Sequence, residues 1–341
     1  MNSRERVMEL FEGRKPDRIA VLPQIGDHAG HVQGLSFDVL YHDAQKAFEA
    51  HLKAYREYGY DVLAVQVEPS WPVAEACGCE VTYPPNKCPW ITKNVIQSPE
   101  DLERVSVPDF WRHPATATIL KATRMLADEI GDEVAISGYM TGPLTFALQL
   151  MPYNDFILAS RKNLEFAQAV VQKATQVAQG FAKALAEAGA QIHVVCEHDL
   201  QMFSPKDLQS FILPNLPAIT QETPYNVLHV CGQVGAHLKA GAKELCQVPN
   251  LQFVNFSHEI SISSMIEIFG QDMGLCGNID HIQLLPHATP DEVSQACAQA
   301  IEQGLKAKSF MLGPGCEITI DTPPANIKAF VQSAERYGRY A

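Results

Sequence analysis

The sequence predicts an α/β fold, a (β/α)8 TIM barrel with an N-terminal helix and a hairpin inserted after the second strand. Three observations carry this prediction. Short runs of β-branched and apolar residues alternate with helical patterns along the chain, which favours parallel strands joined by crossover helices. The alternation gives eight strands, the number that closes such a barrel. Polar and metal-binding side chains follow the strands at their carboxyl ends, where barrel enzymes place reactive residues.

The predicted elements are bounded by helix caps, glycines and prolines. The strands are predicted over 18–22, 62–67, 134–137, 191–196, 227–230, 251–256, 273–277 and 308–312. The first helix is predicted to begin at the N-cap Ser3, and a helix over 142–188 is expected to break at Pro152. The remaining helices are predicted over 43–58, 114–130, 205–219, 235–245, 261–269, 291–303 and 324–337.

Residues 69–113 interrupt the alternation, which predicts an insertion on the barrel rim. Short alternating runs at 80–83 and 90–95, separated by prolines, indicate a hairpin. The insertion also carries three cysteines that offer a second metal site or a redox pair, but small packing residues are the favoured interpretation, because no partner lies at zinc-ribbon spacing. These are Cys77, Cys79 and Cys88. With this insertion, residues 1–341 are predicted to form a single domain.

Composition limits the classes of function. The chain is 46% hydrophobic and 19% charged, so it can bury a large core and is not disordered. Its net charge of −13 disfavours nucleic acids and anionic membranes as partners. No apolar stretch is long enough for a membrane span, and no apolar leader precedes the first helix. We therefore expect a cytoplasmic protein whose nine cysteines are reduced.

Three metal-binding side chains lie at the predicted ends of strands five and eight. His229 and Cys231 flank the tip of the strand over 227–230, and their spacing of two puts both side chains on one face. Cys316 lies in a Gly-Pro-Gly loop after the strand over 308–312, so only folding brings it to the other two. Three ligands with one open position are typical of catalytic zinc. The His-x-Cys spacing alone is a weak signal, because such residues are often simply packed near strand ends.

A resemblance to a known family strengthens this interpretation. The passages that carry it are ISGYMTGPLT at 136–145, LHVCG at 228–232, GNID at 277–280, FMLGPGC at 310–316 and DTPPANI at 321–327. They resemble the uroporphyrinogen decarboxylase superfamily, and are more similar to its zinc-dependent branch, the methylcobamide:coenzyme M methyltransferases, than to the decarboxylases. The resemblance covers nearly the whole chain, and the joint pattern of His-x-Cys-Gly and Gly-Pro-Gly-Cys is specific.

The resemblance implies a methyltransferase with His229, Cys231 and Cys316 as zinc ligands. In that branch the methyl donor is a methyl-Co(III) corrinoid on a separate protein and the acceptor is coenzyme M; homocysteine, another small thiol or tetrahydrofolate stay open here. Two thiolates and a neutral imidazole cancel the charge of zinc, which keeps a bound thiolate nucleophilic and suits attack on an alkyl carbon. A fourth ligand, displaced by the substrate thiol, is expected after strand six, with Glu259 as first choice and His258 as second.

Further candidates follow other predicted strands. Glu197 and His198, with Asp199, form the densest ionisable cluster of the chain. This cluster would steer a substrate, act as acid and base, or support its neighbours through hydrogen bonds. The full set of catalytic candidates is Glu259, His258, Glu197 and His198. The candidate cofactor-binding residues, at the corrinoid-facing mouth or in its hydrogen-bonded surroundings, are Tyr139, Met140, Gln24 and Asp280.

Two other functions are alternatives to methyl transfer. Uroporphyrinogen decarboxylase acts on a substrate with eight carboxylates, so that family places an Arg-Gln-x-Gly-Arg loop after strand one. The equivalent stretch here, 22–30, has no arginine, and the decarboxylases' Leu-Gly-His-Gly is replaced by Leu-Gly-Pro-Gly-Cys at 312–316. Both differences count against decarboxylation. The second rival is a zinc-holding or corrinoid-binding accessory protein that transfers nothing.

Overall fold

Eight parallel strands form the centre of the molecule and helices surround them, which confirms the predicted fold. The computed structural model describes residues 1–340. Neighbouring strands of the barrel sheet follow the order β1-β10-β9-β8-β7-β6-β5-β2, and β3 pairs with β4 in a separate antiparallel hairpin. The strands are β1 Ala20–Val21, β2 Val62–Ala64, β3 Glu80–Thr82, β4 Trp90–Lys93, β5 Ala135–Thr141, β6 Ile192–Glu197, β7 Asn226–Val230, β8 Leu251–Phe256, β9 Gly274–Ile279 and β10 Phe310–Pro314.

Helices connect the strands on the outside of the barrel. They are α1 Ser3–Phe11, α2 Asp27–His31, α3 Phe37–His42, α4 Ala44–Tyr58, α5 Ser70–Ala76, α6 Pro114–Ile130, α7 Pro143–Leu150, α8 Tyr153–Lys162, α9 Leu164–Glu187, α10 Pro205–Asp207, α11 Leu216–Thr220, α12 Gly235–Leu245, α13 Ile262–Phe269, α14 Leu284–His287, α15 Pro290–Gly304 and α16 Pro324–Tyr337. Within the described residues, no helix is long and apolar enough to cross a membrane.

Several helical predictions need correction. The N-cap of α1 is Asn2 and not Ser3, because Asn2 and Glu5 form a reciprocal capping box. The helix predicted over 205–219 is broken into α10, a π-helical segment at Leu208–Ile212 and α11. The short helices α2, α3 and α5 were not predicted. The break at Pro152 is confirmed, since α7 ends before it and α8 begins after it.

The inserted cysteines do not form a metal site in the described chain. Cys77 and Cys79 are buried and Cys88 is exposed. None of the three belongs to a group of converging ligand atoms. Burial raises the pKa of Cys79 to about 11, which keeps it a thiol at neutral pH. A packing role therefore fits Cys77 and Cys79 but not the exposed Cys88.

Two apolar layers stabilise the barrel. One fills its interior, and the other lies between the sheet and the helices. Because side chains alternate along a strand, Tyr139 of β5 belongs to the interior layer and its neighbour Met140 to the outer one. Helix α1 also packs against the interior layer, where the rings of Phe11 and Phe253 lie 4.9 Å apart.

A buried ion-pair network joins the two ends of the sheet, β1 and β2. The Asp61 carboxylate, at the start of β2, accepts hydrogen bonds from Arg6 at 2.7 Å and Arg18 at 2.8 Å. It also accepts the N–H of Val21 in β1 at 2.8 Å, and the N–H of Asp61 donates to the Val21 carbonyl. This network supplies polar contacts where no strand ladder connects β1 to β2.

Candidate metal centre

Four metal-binding side chains meet at the mouth of the barrel. His198 follows β6, His229 and Cys231 lie at the end of β7, and Cys316 follows β10. One ligand atom of each lies within 4.8 Å of all the others. The Cys231 Sγ is 3.3 Å from Cys316 Sγ, 2.9 Å from His229 Nε2 and 3.2 Å from His198 Nδ1. Ligand atoms of a tetrahedral zinc ion lie about 3.3 to 3.8 Å apart, so the donor types fit zinc and the spacing needs only a small expansion.

The structure brings together the three predicted ligands, but the fourth member of the group is His198. This corrects the expected geometry around Glu259, which instead approaches Gln233 and Ser257 at 3.4 Å each. The reason is strand register: β6 pairs with β7 so that Glu197 lies beside Val230. The next residues along the two strands, His198 and Cys231, are therefore neighbours.

His258, the second choice for the fourth ligand, belongs to a separate group. One ligand atom each of His258, Asp280 and His281 lie within 4.8 Å of one another. The His258 Nε2 is 3.8 Å from Asp280 Oδ1. Asp280 also accepts the N–H groups of Ile282 and Gln283, which fixes the turn after β9.

Asn255 orients His229 for metal binding. The Asn255 amide donates to the carbonyls of Cys276 at 3.0 Å and Pro314 at 3.2 Å, so its oxygen faces His229 Nδ1. That oxygen also accepts a hydrogen bond from Gln24 at 2.8 Å. The Nδ1 therefore carries the proton, and Nε2 is left to bind a metal. Asn255 was not among the residues predicted from the sequence, although a polar residue inside an apolar strand was a usable signal.

Glu68 orients the ring of His198. Its Oε2 lies 2.8 Å from His198 Nε2, and its Oε1 accepts the N–H of Ser70. Burial by itself would lower the pKa of His198, but the charges of Glu68 and Cys231 hold it well above its usual value. A carboxylate behind a metal-binding imidazole is the common supporting arrangement in zinc sites.

A hydrogen bond between the two sulfurs couples the ionisation of Cys231 and Cys316. The hydrogen bond between them holds the pKa of Cys316 well below its ordinary value and raises that of Cys231 well above it; burial opposes the first shift and adds to the second. The first proton is therefore lost more easily from Cys316 than from Cys231. Metal binding must release the remaining proton, because thiolates are the zinc-binding form.

Replacing Asn255 with Ala is expected to weaken zinc binding about 10- to 100-fold, since His229 loses the acceptor that fixes its ring. Competition with a chelator measures this affinity, and a thermal melt checks that the variant is folded. His258→Ala is the matched control, because its side chain lies outside the four-residue group. Unchanged zinc affinity in a folded Asn255→Ala protein would show that the ring is held by other contacts.

The candidate cofactor-binding residues do not form an exposed surface. Tyr139, Met140 and Gln24 are at most 4% exposed. Tyr139 lies in the barrel interior, Met140 packs under the helices, and Gln24 supports Asn255. A corrinoid cannot contact such side chains without rearrangement, which corrects the expectation for these three; Asp280 remains partly accessible.

Glu197 has hydrogen bonds that favour a structural role. Its two carboxylate oxygens accept the N–H groups of Leu144 at 3.0 Å and Thr145 at 2.9 Å, at the start of α7. A carboxylate is stabilised at a helix N-terminus. Burial still raises the pKa of Glu197 to about 7. With both oxygens occupied, Glu197 anchors α7 beside the metal centre and holds the segment that carries His198.

Comparison with known proteins identifies the family. The family described as uroporphyrinogen decarboxylase (URO-D) matches residues 2–337. The chain belongs to the uroporphyrinogen decarboxylase family. This confirms the family expected from the sequence.

Relatives in the family carry two kinds of name. The methylcobamide:CoM methyltransferase MtaA of Methanosarcina barkeri is 28% identical over 273 residues, 78% of this chain and 77% of that protein. The uroporphyrinogen decarboxylase of Trichlorobacter lovleyi is 25% identical over 278 residues, 77% of this chain and 76% of that protein. The structure of a methyltransferase from Methanosarcina mazei has the same fold, with a TM-score of 0.88, 23% identity and 99% coverage of both chains.

Proposed function

We propose that this protein is a zinc-dependent methyltransferase that moves a methyl group from a methylated corrinoid protein to a thiol. The observation that carries the proposal is the convergence of two cysteine sulfurs and two oriented imidazoles at the barrel mouth. The names of the Methanosarcina relatives support it, since they describe methyl transfer from a methylcobamide to coenzyme M. A thiol is the natural acceptor for such a site, because a thiolate-rich zinc keeps it nucleophilic.

The site residues would have different roles. His229, Cys231 and Cys316 would hold the zinc ion, and His198 would be a fourth donor beside them. When bound, zinc supplies the Lewis acidity that keeps an acceptor sulfur deprotonated at neutral pH. His198 would also be able to take up a proton, because Glu68 lies 2.8 Å from its ring and stabilises the protonated imidazole. Its Nδ1 would then accept the proton of the incoming thiol.

Decarboxylation is disfavoured by the charge of the barrel mouth. A porphyrinogen with eight carboxylates needs cationic partners. The segments 22–45 and 315–327, which follow the first and last barrel strands, contain no Lys or Arg. The half-buried carboxyl group of Glu317 lies at this position instead. The methyltransferase therefore accounts for the site and the decarboxylase does not.

The defining experiment follows demethylation of free methylcobalamin by zinc-loaded protein in the presence of small thiols. Loss of the methyl–cobalt absorption and formation of the methyl thioether are expected together. Metal-free protein is the control and should be inactive. Zinc-loaded protein that shows no methyl transfer from methylcobalamin or from the cognate corrinoid protein would contradict the proposal and favour the accessory role.

Two exposed apolar side chains on the barrel rim are expected to contact the corrinoid protein. Met202 follows β6 and is 59% exposed, and Ile282 follows β9 and is 49% exposed. The variant Met202→Glu with Ile282→Glu should reduce methyl transfer from the corrinoid protein about 30-fold or more, since one buried interface anchor contributes about 2 kcal/mol, a factor of about 30. Transfer from free methylcobalamin should change little. The measurement is kcat/KM with each donor.

The matched control for the rim variant is Leu305→Glu. Leu305 is 37% exposed and lies between α15 and β10, at the opposite end of the barrel. Its substitution should leave transfer from both donors unchanged. An equal loss with both donors in the rim variant would indicate damage to the site rather than to docking.

A further inference from the structure

A second group of metal-binding side chains lies at the mouth of the barrel and has no part in the proposed methyl transfer. One ligand atom each of His258, Asp280 and His281 lie within 4.8 Å of one another. None of the three belongs to the four-residue group that contains the two sulfurs. Two imidazoles and one carboxylate form a donor set that divalent first-row metal ions accept.

Strand pairing explains why these three side chains meet. In the parallel pairing of β8 with β9, Asn255 lies beside Cys276. His258 follows β8 by two residues and Asp280 follows β9 directly, so both leave the barrel at its carboxyl end and next to each other. The Asp280 Oδ1 accepts two N–H groups of the turn that follows it, at 2.8 and 2.9 Å. This turn holds the carboxylate, and with it the adjacent His281, in place.

Two ring nitrogens of this group lack hydrogen-bond partners. The Nδ1 atoms of His258 and His281 are buried, and neither has a partner among residues 1–340. The His258 Nε2 lies 3.8 Å from Asp280 Oδ1, which is too long for a hydrogen bond. Burying a polar atom without a partner costs free energy. A bound cation would supply these rings with an interaction that the protein itself does not provide.

The spacing of the group is close to that of ligands on one ion. With metal–ligand bonds of about 2.1 Å, two donor atoms on the same ion lie about 3.0 to 4.2 Å apart. The 3.8 Å between His258 Nε2 and Asp280 Oδ1 falls in this range. Their side chains are 25% and 28% exposed, so they have room for the small inward movement that brings all three donors to an ion.

A cavity gives an ion access to this group. Its volume is about 440 Å³, and it lies between the ends of β8 and β9 and the helices α13 to α15. His258 and Asp280 line it together with Asn278, Gln299 and Gln303. No Lys or Arg of the described chain lines it, so an entering cation meets no fixed charge of its own sign. With three protein ligands, the ion would keep positions for water or for a small ligand from the cavity.

We propose that His258, Asp280 and His281 bind a second divalent metal ion, from the class of Fe²⁺, Co²⁺ and Zn²⁺, separate from the thiolate centre. The inference does not depend on methyl transfer. This site has one charged ligand and no thiolate, whereas the first has two cysteines, so it should bind zinc more weakly than the thiolate centre. After dialysis the protein is therefore expected to keep one zinc ion and to take up the second ion only from free metal.

The test is isothermal titration of Co²⁺ into dialysed, zinc-loaded protein, followed also by absorption spectroscopy. One further equivalent of metal is expected to bind. A sulfur-to-cobalt charge-transfer band should be absent, because nitrogen and oxygen donors alone hold the cobalt. Absence of a further equivalent would overturn the inference. Uptake of a single equivalent together with that band would also overturn it, because the cobalt would then be at the cysteines.

Two variants test the assigned ligands. His281→Ala and, separately, His258→Ala should weaken binding of this Co²⁺ at least about 100-fold, since loss of a ligand costs more than the about 10- to 100-fold typical of a residue that only supports one. A thermal melt checks that each variant is folded. The comparison also decides the inference if the thiolate centre holds no zinc, because the equivalent without a sulfur band is the one that should be lost.

His287→Ala is the matched control for these variants. His287 is exposed in α14, close in sequence to His281, and belongs to neither ligand group. Its variant should bind the second equivalent as the natural protein does. Retention of that equivalent in both His281→Ala and His258→Ala, or its equal loss in His287→Ala, would show that the ion binds elsewhere and overturn the inference.

Discussion

Replacing Cys316 with Ala is expected to remove bound zinc and to reduce methyl transfer at least 100-fold. The variant loses one of the two sulfur ligands, so that His198, His229 and Cys231 alone remain to hold the ion. Metal catalysis contributes several kcal/mol to such reactions, and each 1.36 kcal/mol is a factor of ten in rate. Elemental analysis should find about one zinc per natural chain and less than about 0.1 per variant chain.

Two controls make the result specific to the metal centre. Cys246→Ala removes a half-buried cysteine that follows α12, and it should retain full zinc and activity. His258→Ala removes a member of the second ligand group and should also retain one zinc ion. Full zinc content in Cys316→Ala, with loss in His258→Ala, would place the metal in the other group and remove the basis of the proposed mechanism.

Replacing Asp61 with Ala is expected to destabilise the protein by about 3 to 5 kcal/mol, the usual cost of leaving a buried charge without its partner. The substitution leaves two buried guanidinium groups, Arg6 and Arg18, without their common carboxylate. It also removes the acceptor of the Val21 N–H. Urea denaturation should give a lower midpoint, with a similar slope if the folded state stays compact.

The matched control for Asp61 is Asp17→Ala. Asp17 also pairs with Arg6, at 2.8 Å, but its side chain is 44% exposed. Exposed ion pairs contribute about 0 to 1 kcal/mol, so this variant should unfold close to the natural midpoint. Equal destabilisation by the two substitutions would mean that the network acts through Arg6 alone and does not join β1 to β2.

The fold was predictable from the sequence because buried parallel strands are short continuous apolar runs. The run over 251–256 matches β8 at both ends. The prediction over 62–67 was too long, since β2 ends at Ala64. Gln66 has a φ of 54°, a left-handed conformation that takes the chain out of the sheet. The sequence over 62–67 does not indicate this turn, because the run is mostly apolar and contains no glycine.

The candidate site was only partly predictable, because its members depend on strand register. His229, Cys231 and Cys316 carry a local motif and were singled out. The place of His198 follows from the pairing of β6 with β7, which a single sequence does not reveal. Asn255 is placed by the pairing of β7 with β8, where it lies directly opposite His229.

Helix α1 has a consequence for the order of events in catalysis. Its apolar side chains Val7, Leu10 and Phe11 pack into the barrel interior from the end opposite the metal centre. The barrel is therefore closed at that end, and under the proposed function the donor protein and the acceptor thiol would both reach the metal centre through the opposite end. A docked donor protein would cover that opening, so the small thiol would have to bind first and its methylated product would be released last. Steady-state kinetics should therefore show a compulsory-order ternary complex.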